Sequence, residues 1–205
     1  MKGRVFFSGV VFVGAMIAIP ARVVSQDKKK AAEPKEEMMS AWMKAAEPGE
    51  HHEHLKPLVG RWNLRVQWRM TPEAEWTEEK ATSEFQWIMG GRFLMEKVKG
   101  TMEPGMEGTP FEGLGFLGYD NLRKKHTTMW IDNMTTATSI SYGTCDSSRK
   151  VMTLVGDGID HMTKKPRKEK SILRIINNDK LVVEMYVPGP DGKEFKSMEI
   201  TYTRK

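Results

Sequence analysis

Cysteine is nearly absent. The 205-residue chain carries one, Cys145, so no internal disulfide can form and the fold must be held by burial alone. A single thiol beside a turn reads as incidental rather than catalytic. Long apolar runs are missing as well. The longest, Val5 to Ile19, runs for 15 residues against the ~20 that a spanning helix needs. After residue 60 no segment keeps a helical apolar period long enough for a parallel crossover, which argues against α/β architectures. There is no G-x-S-x-G elbow, no Walker sequence and no dinucleotide-binding glycine motif behind a strand. Gly113, Gly115 and Gly118 are followed by no helix whose N-terminus would hold a phosphate. Charge is not of one sign either. Lys and Arg number 32 against 27 Asp and Glu, and setting aside Lys2, Arg4 and Arg22 of a removable leader leaves 29 against 27, without the footprint of a nucleic-acid binder.

What is present begins with a leader. Lys2 and Arg4, the apolar run and Pro20 form a signal-peptide pattern, with Val23 and Ser25 placing small or β-branched side chains before Gln26. The expectation is export to the periplasm or medium, with cleavage after residue 25 and no stable membrane insertion of the mature chain. Residues 26–37, QDKKKAAEPKEE, hold no apolar side chain larger than alanine and are expected to be a flexible charged spacer. One domain, residues 38–205, should follow. Met38, Met39, Trp42, Met43 and Ala46 recur at helical spacing before Pro48 and Gly49, and a second short helix should run from Glu50 to Lys56. It carries His51, His52 and His54. The zincin motif requires a histidine four residues after the first, and Lys56 stands four after His52, so no metal site and no cofactor are expected.

At Gly60 the apolar period becomes two. Trp62, Leu64, Val66, Trp68 and Met70 alternate with Arg61, Asn63, Arg65, Gln67 and Arg69, the pattern of a half-buried strand. Gly90-Gly91 suits a two-residue hairpin turn, which sets Met89 against Arg92, Ile88 against Phe93, Phe85 against Glu96 and Glu84 against Lys97. With Glu84 and Lys97 outward, the inward face holds Phe85, Trp87, Met89, Leu94 and Val98, and with them Arg92 and Glu96. A second hairpin spans Glu112–Asp132 around Asp120 and Asn121, thinned by glycines where a strand bends or another group comes close. Holding Lys125 in water turns His126, Thr128, Trp130 and Asp132 inward; the N-terminal helices then have to cover Met129 and Ile131. Strands near 137–142, 150–156, 170–177, 180–187 and 194–204 bring the total to about ten in simple succession. An up-and-down meander of that length avoids two bare edges by closing. The expected fold is all-β, an antiparallel barrel preceded by short helices.

Gly60-Arg61-Trp62 resembles the G-x-W opening of the calycin superfamily, the lipocalins and fatty-acid-binding proteins. In that superfamily a basic residue of the last strand commonly packs across the tryptophan, and Arg204 in Thr201-Tyr202-Thr203-Arg204 matches it. From about Glu50 onward the chain is also similar to the bacterial family of unknown function DUF1579, through G-x-W, GGRFL at 90–94, GxxGYD at 115–120, WID at 130–132 and the closing TYTR. That resemblance implies a calycin-like barrel and adds little on activity.

The site expectation follows from the inward set. Apolar walls (Trp62, Trp68, Phe85, Trp87, Trp130) with polar points at Arg92, Glu96 and Asp132 describe a small-molecule pocket. Ligand-binding candidates are Trp87, Arg92, Glu96, His126, Thr128, Trp130 and Asp132, while Gly60, Trp62 and Arg204 are structural. The expected role is non-enzymatic capture of a small, partly apolar or amphipathic molecule in the cell envelope. A hydrolase or isomerase using Glu96 and Asp132 as acid and base, and a structural barrel filled by its own side chains, are the alternatives. Haem would need an inward histidine, His126 or His161.

Overall fold

The computed structural model describes residues 34–101, 110–160 and 163–205. The leader, most of the spacer, the centre of the Gly- and Met-rich loop after Gly100, and His161 lie outside them. Ten strands follow one another as a meander: β1 (Gly60–Trp68), β2 (Thr77–Ile88), β3 (Phe93–Thr101), β4 (Pro110–Asp120), β5 (Lys125–Asp132), β6 (Ser139–Cys145), β7 (Val151–Ile159), β8 (Pro166–Asn177), β9 (Lys180–Pro188) and β10 (Glu194–Arg204). Each pairs antiparallel with its neighbour, and β1 closes on β10 with Trp62 opposite Arg204. Closure removes both edges, as the strand count implied.

The β2–β3 register is the one that the glycine pair dictates, with Phe85 opposite Glu96 and Glu84 opposite Lys97. Its loop is longer. Met89, Gly90 and Gly91 all take positive φ, so the strands end at Ile88 and Phe93 and a four-residue turn separates them. Met89, expected inward, is 71% exposed there. β7 and β8 extend beyond the expected ends; Lys168 pairs with Asp157 across the added rungs, and Arg167 pairs with Asp160 and, along β8, with Glu169. Pro166 fits there as the first residue of its strand.

Before the barrel lie α1 (Pro34–Ala46), α2 (Glu50–Glu53) and a 3-10 turn (Lys56–Leu58). α1 begins inside the stretch expected to be spacer. Proline suits a first helical position, and Glu36 and Glu37 in the first turn with Lys44 in the last complement the helix dipole. It buries none of its residues, and Ile131 stays 37% exposed, so the expected cover over β5 is not supplied. Asn121 of the β4–β5 turn ties down the end of α1 by donating to the carbonyls of Ala45 and Glu47. α2 ends at Glu53, short of Lys56, which instead opens the 3-10 turn with Pro57 at its start.

The segment from α2 to Gly60 plugs one end of the barrel. Leu55 and Leu58 are buried against Trp62, Leu64, Phe85, Leu94, Leu117, Met152, Leu154, Leu181 and Tyr202. Gly60 joins plug to wall with φ of 124°, and a Cβ there would stand 2.7 Å from Arg204 Nη1, so both conformation and space require glycine. Trp62 Nε1 donates to the Leu58 carbonyl at 2.8 Å. The opposite end has no such plug among the described residues.

Candidate functional site

On β9 and β10 the exposure of the inward side chains rises with distance from the plug. On β9 Leu181 is 1% exposed, Val183 is half-buried and Met185 reaches 36%. On β10 Tyr202 is buried, while Ile200 and Met198 on the same face are not fully so. Trp68, opposite Met198, and Ser171, opposite Met185, are half-buried too. Among the described residues, the half next to the plug is filled by its own side chains, and the inward side chains of β9 and β10 in the other half are only partly covered.

Glu96 points inward from β3. Val98 and Leu94 flank it on the inward face of β3, and Gly115 faces it across the β3–β4 ladder. Ser83 Oγ donates to Glu96 Oε1 at 2.7 Å and Tyr202 Oη donates to the same oxygen at 3.1 Å. Both donors use Oε1, and the side chain keeps some accessible surface although walls surround it. Burial raises its carboxyl to about 7, the two hydroxyls opposing the shift. Burial also lifts the Tyr202 phenol well above its usual range, with Glu96 adding to the effect. Near neutrality the pair offers a carboxyl that can donate or accept a hydrogen bond.

The other candidates divide. Trp130 is inward as expected and lies across the glycine-thinned part of β4: a Cβ on Gly113 would come 2.6 Å from its Cη2, and one on Gly115 3.2 Å from its Cε3. Those glycines make room for an indole, which is also stacked near Phe111. Thr128 is half-buried on the same face. Asp132 is committed to structure: Oδ2 accepts from Trp130 Nε1 at 2.8 Å and Oδ1 from the backbone of Met134 and Thr135. Trp87 packs against the core of the filled half. Arg92 is not inward. It lies exposed in the four-residue turn and donates to the Met89 carbonyl, because the ladder ends one rung before it. Its separation from Glu96 thus raises no question of two opposed interior charges; Glu96 is satisfied by hydroxyls, and Glu79, whose Oε1 accepts from Trp68 Nε1 at 3.1 Å, shares the inward face. A shallow depression on the outer wall, between Arg65, Glu78, Lys80 and Lys99, is open to solvent and separate from this interior.

A second cluster lies at the plugged end, where sequence reasoning placed none. His51 of α2, His54 just after it and His126 of β5 each present a ring nitrogen, and the three atoms lie within 4.8 Å of one another. Tyr119, opposite His126 on β4, stacks on the His51 ring with centroids 4.1 Å apart. His126 is 1% exposed, and neither its ring nitrogens nor those of His54 have a hydrogen-bond partner. Burial lowers His126 to about 4, helped by His51 and His54; the Gly118 backbone opposes this without meeting hydrogen-bond geometry. His54 is lowered as well, by burial and then by Arg149. His52 differs. It is buried, and its Nδ1 accepts from the Gly49 backbone N–H at 3.0 Å, which caps α2. The signal for the cluster was in the sequence: His126 was placed inward, and in a meander the start of the first strand and the β4–β5 turn share one barrel end.

The sequence model of the family described as "Protein of unknown function (DUF1579)" matches residues 47–204. No curated protein matches the chain. Among solved structures the chain is similar to Rv2717c from M. tuberculosis, with 17% identity, 78% of this chain and 99% of that one covered, and a TM-score of 0.55. A redesigned β barrel is a weaker likeness, with 15% identity, 74% and 95% covered, and a TM-score of 0.38. The first likeness bears on fold, a ten-stranded barrel in both sequence expectation and structure. With its model covering the barrel from plug to final strand, the chain belongs to the DUF1579 family.

Proposed function

We propose that the protein captures a small, partly apolar molecule in the open half of its barrel, after export to the cell envelope. The observation that carries this is the gradient of exposure along β9, from buried Leu181 to Met185 on one inward face. A barrel filled by its own side chains would bury both ends of that face alike. Apolar walls from Val66, Trp68, Val183, Met198 and Ile200 supply contact area. Trp130 and Phe111 form an aromatic side, and Glu96 supplies one directional group whose protonation near neutrality suits a hydroxyl, carbonyl or amine. The leader pattern of residues 1–25 supports export, and no helix among the described residues is long and apolar enough to cross a membrane.

Native mass spectrometry of the mature protein, purified from the envelope of its own cells, tests the proposal. The expected result is a stoichiometric mass above that of the chain, lost in Ile200→Phe, which fills the open half, and reduced in Glu96→Gln. Recovery of the bare chain alone, or of a bound mass indifferent to Ile200→Phe, would refute it.

A further inference from the structure

The imidazole cluster at the plugged end lies across the Leu55 and Leu58 layer from the open half and belongs to none of the binding surface just described. We propose that His51, His54 and His126 form a three-nitrogen site for a borderline divalent transition metal, of which zinc is the archetype, pinning the plug to the barrel wall. Two independent observations carry it. The first is convergence: histidines from the plug and from β5 bring one ring nitrogen each to within 4.8 Å of one another. Around a tetrahedral zinc, with bonds of about 2.0–2.1 Å, ligand nitrogens stand roughly 3.3 Å apart. The side chains of a four-residue helix and the turn after it close that difference by small rotations.

The second is the orphaned buried polarity. His126 is 1% exposed, yet neither of its ring nitrogens, nor either of His54, has a hydrogen-bond partner. Buried polar atoms are nearly always paired, and each that is not costs stability. One ion satisfies one nitrogen from each ring at a stroke. Histidines that serve only to fill space need no such convergence.

The surroundings suit an ion. The His51 side chain is 41% exposed, which gives a path from solvent and leaves room for water as a fourth ligand. Glu50 Oε1 stands 4.0 Å from His51 Nε2, and Glu50 is held in turn by Arg149 at 2.8 Å. A carboxylate beside a ligating imidazole commonly accepts its second N–H and fixes the ring. Tyr119, stacked on His51, limits that ring to one plane. All-imidazole ligation selects zinc, copper, nickel or cobalt over calcium and magnesium, which take oxygen.

The test uses the tag-free mature chain, stripped with chelator and titrated with Zn2+, and separately with Co2+, whose visible absorption reports a low-coordinate nitrogen site. One equivalent of Zn2+ should bind and raise the thermal midpoint, Mg2+ should not, and Co2+ should give intense visible bands. His51→Ala, at a partly exposed position, should fold and lose affinity at least tenfold. His126→Leu should remain folded and lose the stoichiometric site altogether. Absence of saturable zinc binding by the stripped chain would overturn the proposal. So would binding that keeps its affinity in both variants, which would assign the metal to other groups.

Discussion

The guanidinium of Arg204 lies over the indole of Trp62, with its carbon 4.2 Å from the ring centroid, and fastens three chain segments at once. Nε donates to the Asn178 carbonyl at 2.6 Å, Nη1 to Val59 and Nη2 to Pro57, each at 2.9 Å. Last strand, β8–β9 turn and plug therefore meet on one planar cation. Arg204→Ala removes the stacking and leaves the plug carbonyls without their donor, so it should cost on the order of 2–4 kcal/mol. Arg204→Lys should recover little, since an ammonium cannot span three carbonyls from one plane. Urea denaturation midpoints measure both; equal midpoints for wild type and Arg204→Ala would show the clasp to be idle.

The seat of Trp130 gives a second expectation. Gly113→Ala would set a methyl against the six-membered ring of Trp130, which is held by its bond to Asp132 and cannot swing away freely. Overpacking of this kind costs about 1–3 kcal/mol. Removing the larger ring should restore room, so Trp130→Phe is expected to recover part of the loss in the double variant. Additive losses would place the two residues out of contact.

Much of this was legible because a barrel wall obeys a period of two. Gly90-Gly91 set the β2–β3 register, and a wet Lys125 turned His126 and Trp130 inward; the ladders show the same assignments. Arg92 was misplaced because the glycine pair was taken as the whole turn. Positive φ at Met89 widened it by one rung on each side, and the sequence carries little warning of that at a methionine. The partial filling of the barrel was not legible either. It depends on how far the Leu55 and Leu58 plug enters, a packing distance that alternation does not encode. The imidazole cluster escaped for a different reason: motif spacing was sought within α2, whereas the third histidine comes from another element at the same end.

Glu96 sets a pH dependence whose sign can be worked out. Its folded-state carboxyl, at about 7, lies above the ordinary 4.5, so the folded chain holds this proton more tightly than the unfolded one. This contribution to stability is fully present below about pH 4.5, falls as pH rises towards 7 and is flat above. The total loss is on the order of 3 kcal/mol. Glu96→Gln keeps an acceptor for Ser83 and Tyr202 and carries no charge. It should flatten that part of the profile and be more stable than wild type at pH 8, by comparison of urea midpoints across pH. Parallel wild-type and variant profiles would mean that Glu96 is hydrated enough to titrate normally.

His126 offers the sharpest separation of stability from function. In the metal-free chain its ring is enclosed by His51, His54 and Tyr119, with no hydrogen bond to either nitrogen. A side chain of that kind loses its hydration on folding and gains no partner for it. Leucine lacks the polar atoms and is of similar size, so His126→Leu should leave the metal-free protein as stable as wild type or more so, by about 1–2 kcal/mol. Most substitutions of a fully buried residue destabilise, which makes the sign informative. The urea midpoint of chelator-treated protein measures it. A stabilised variant would identify a histidine retained at a cost, whereas a variant weaker by several kcal/mol would show that the imidazole is needed for packing alone.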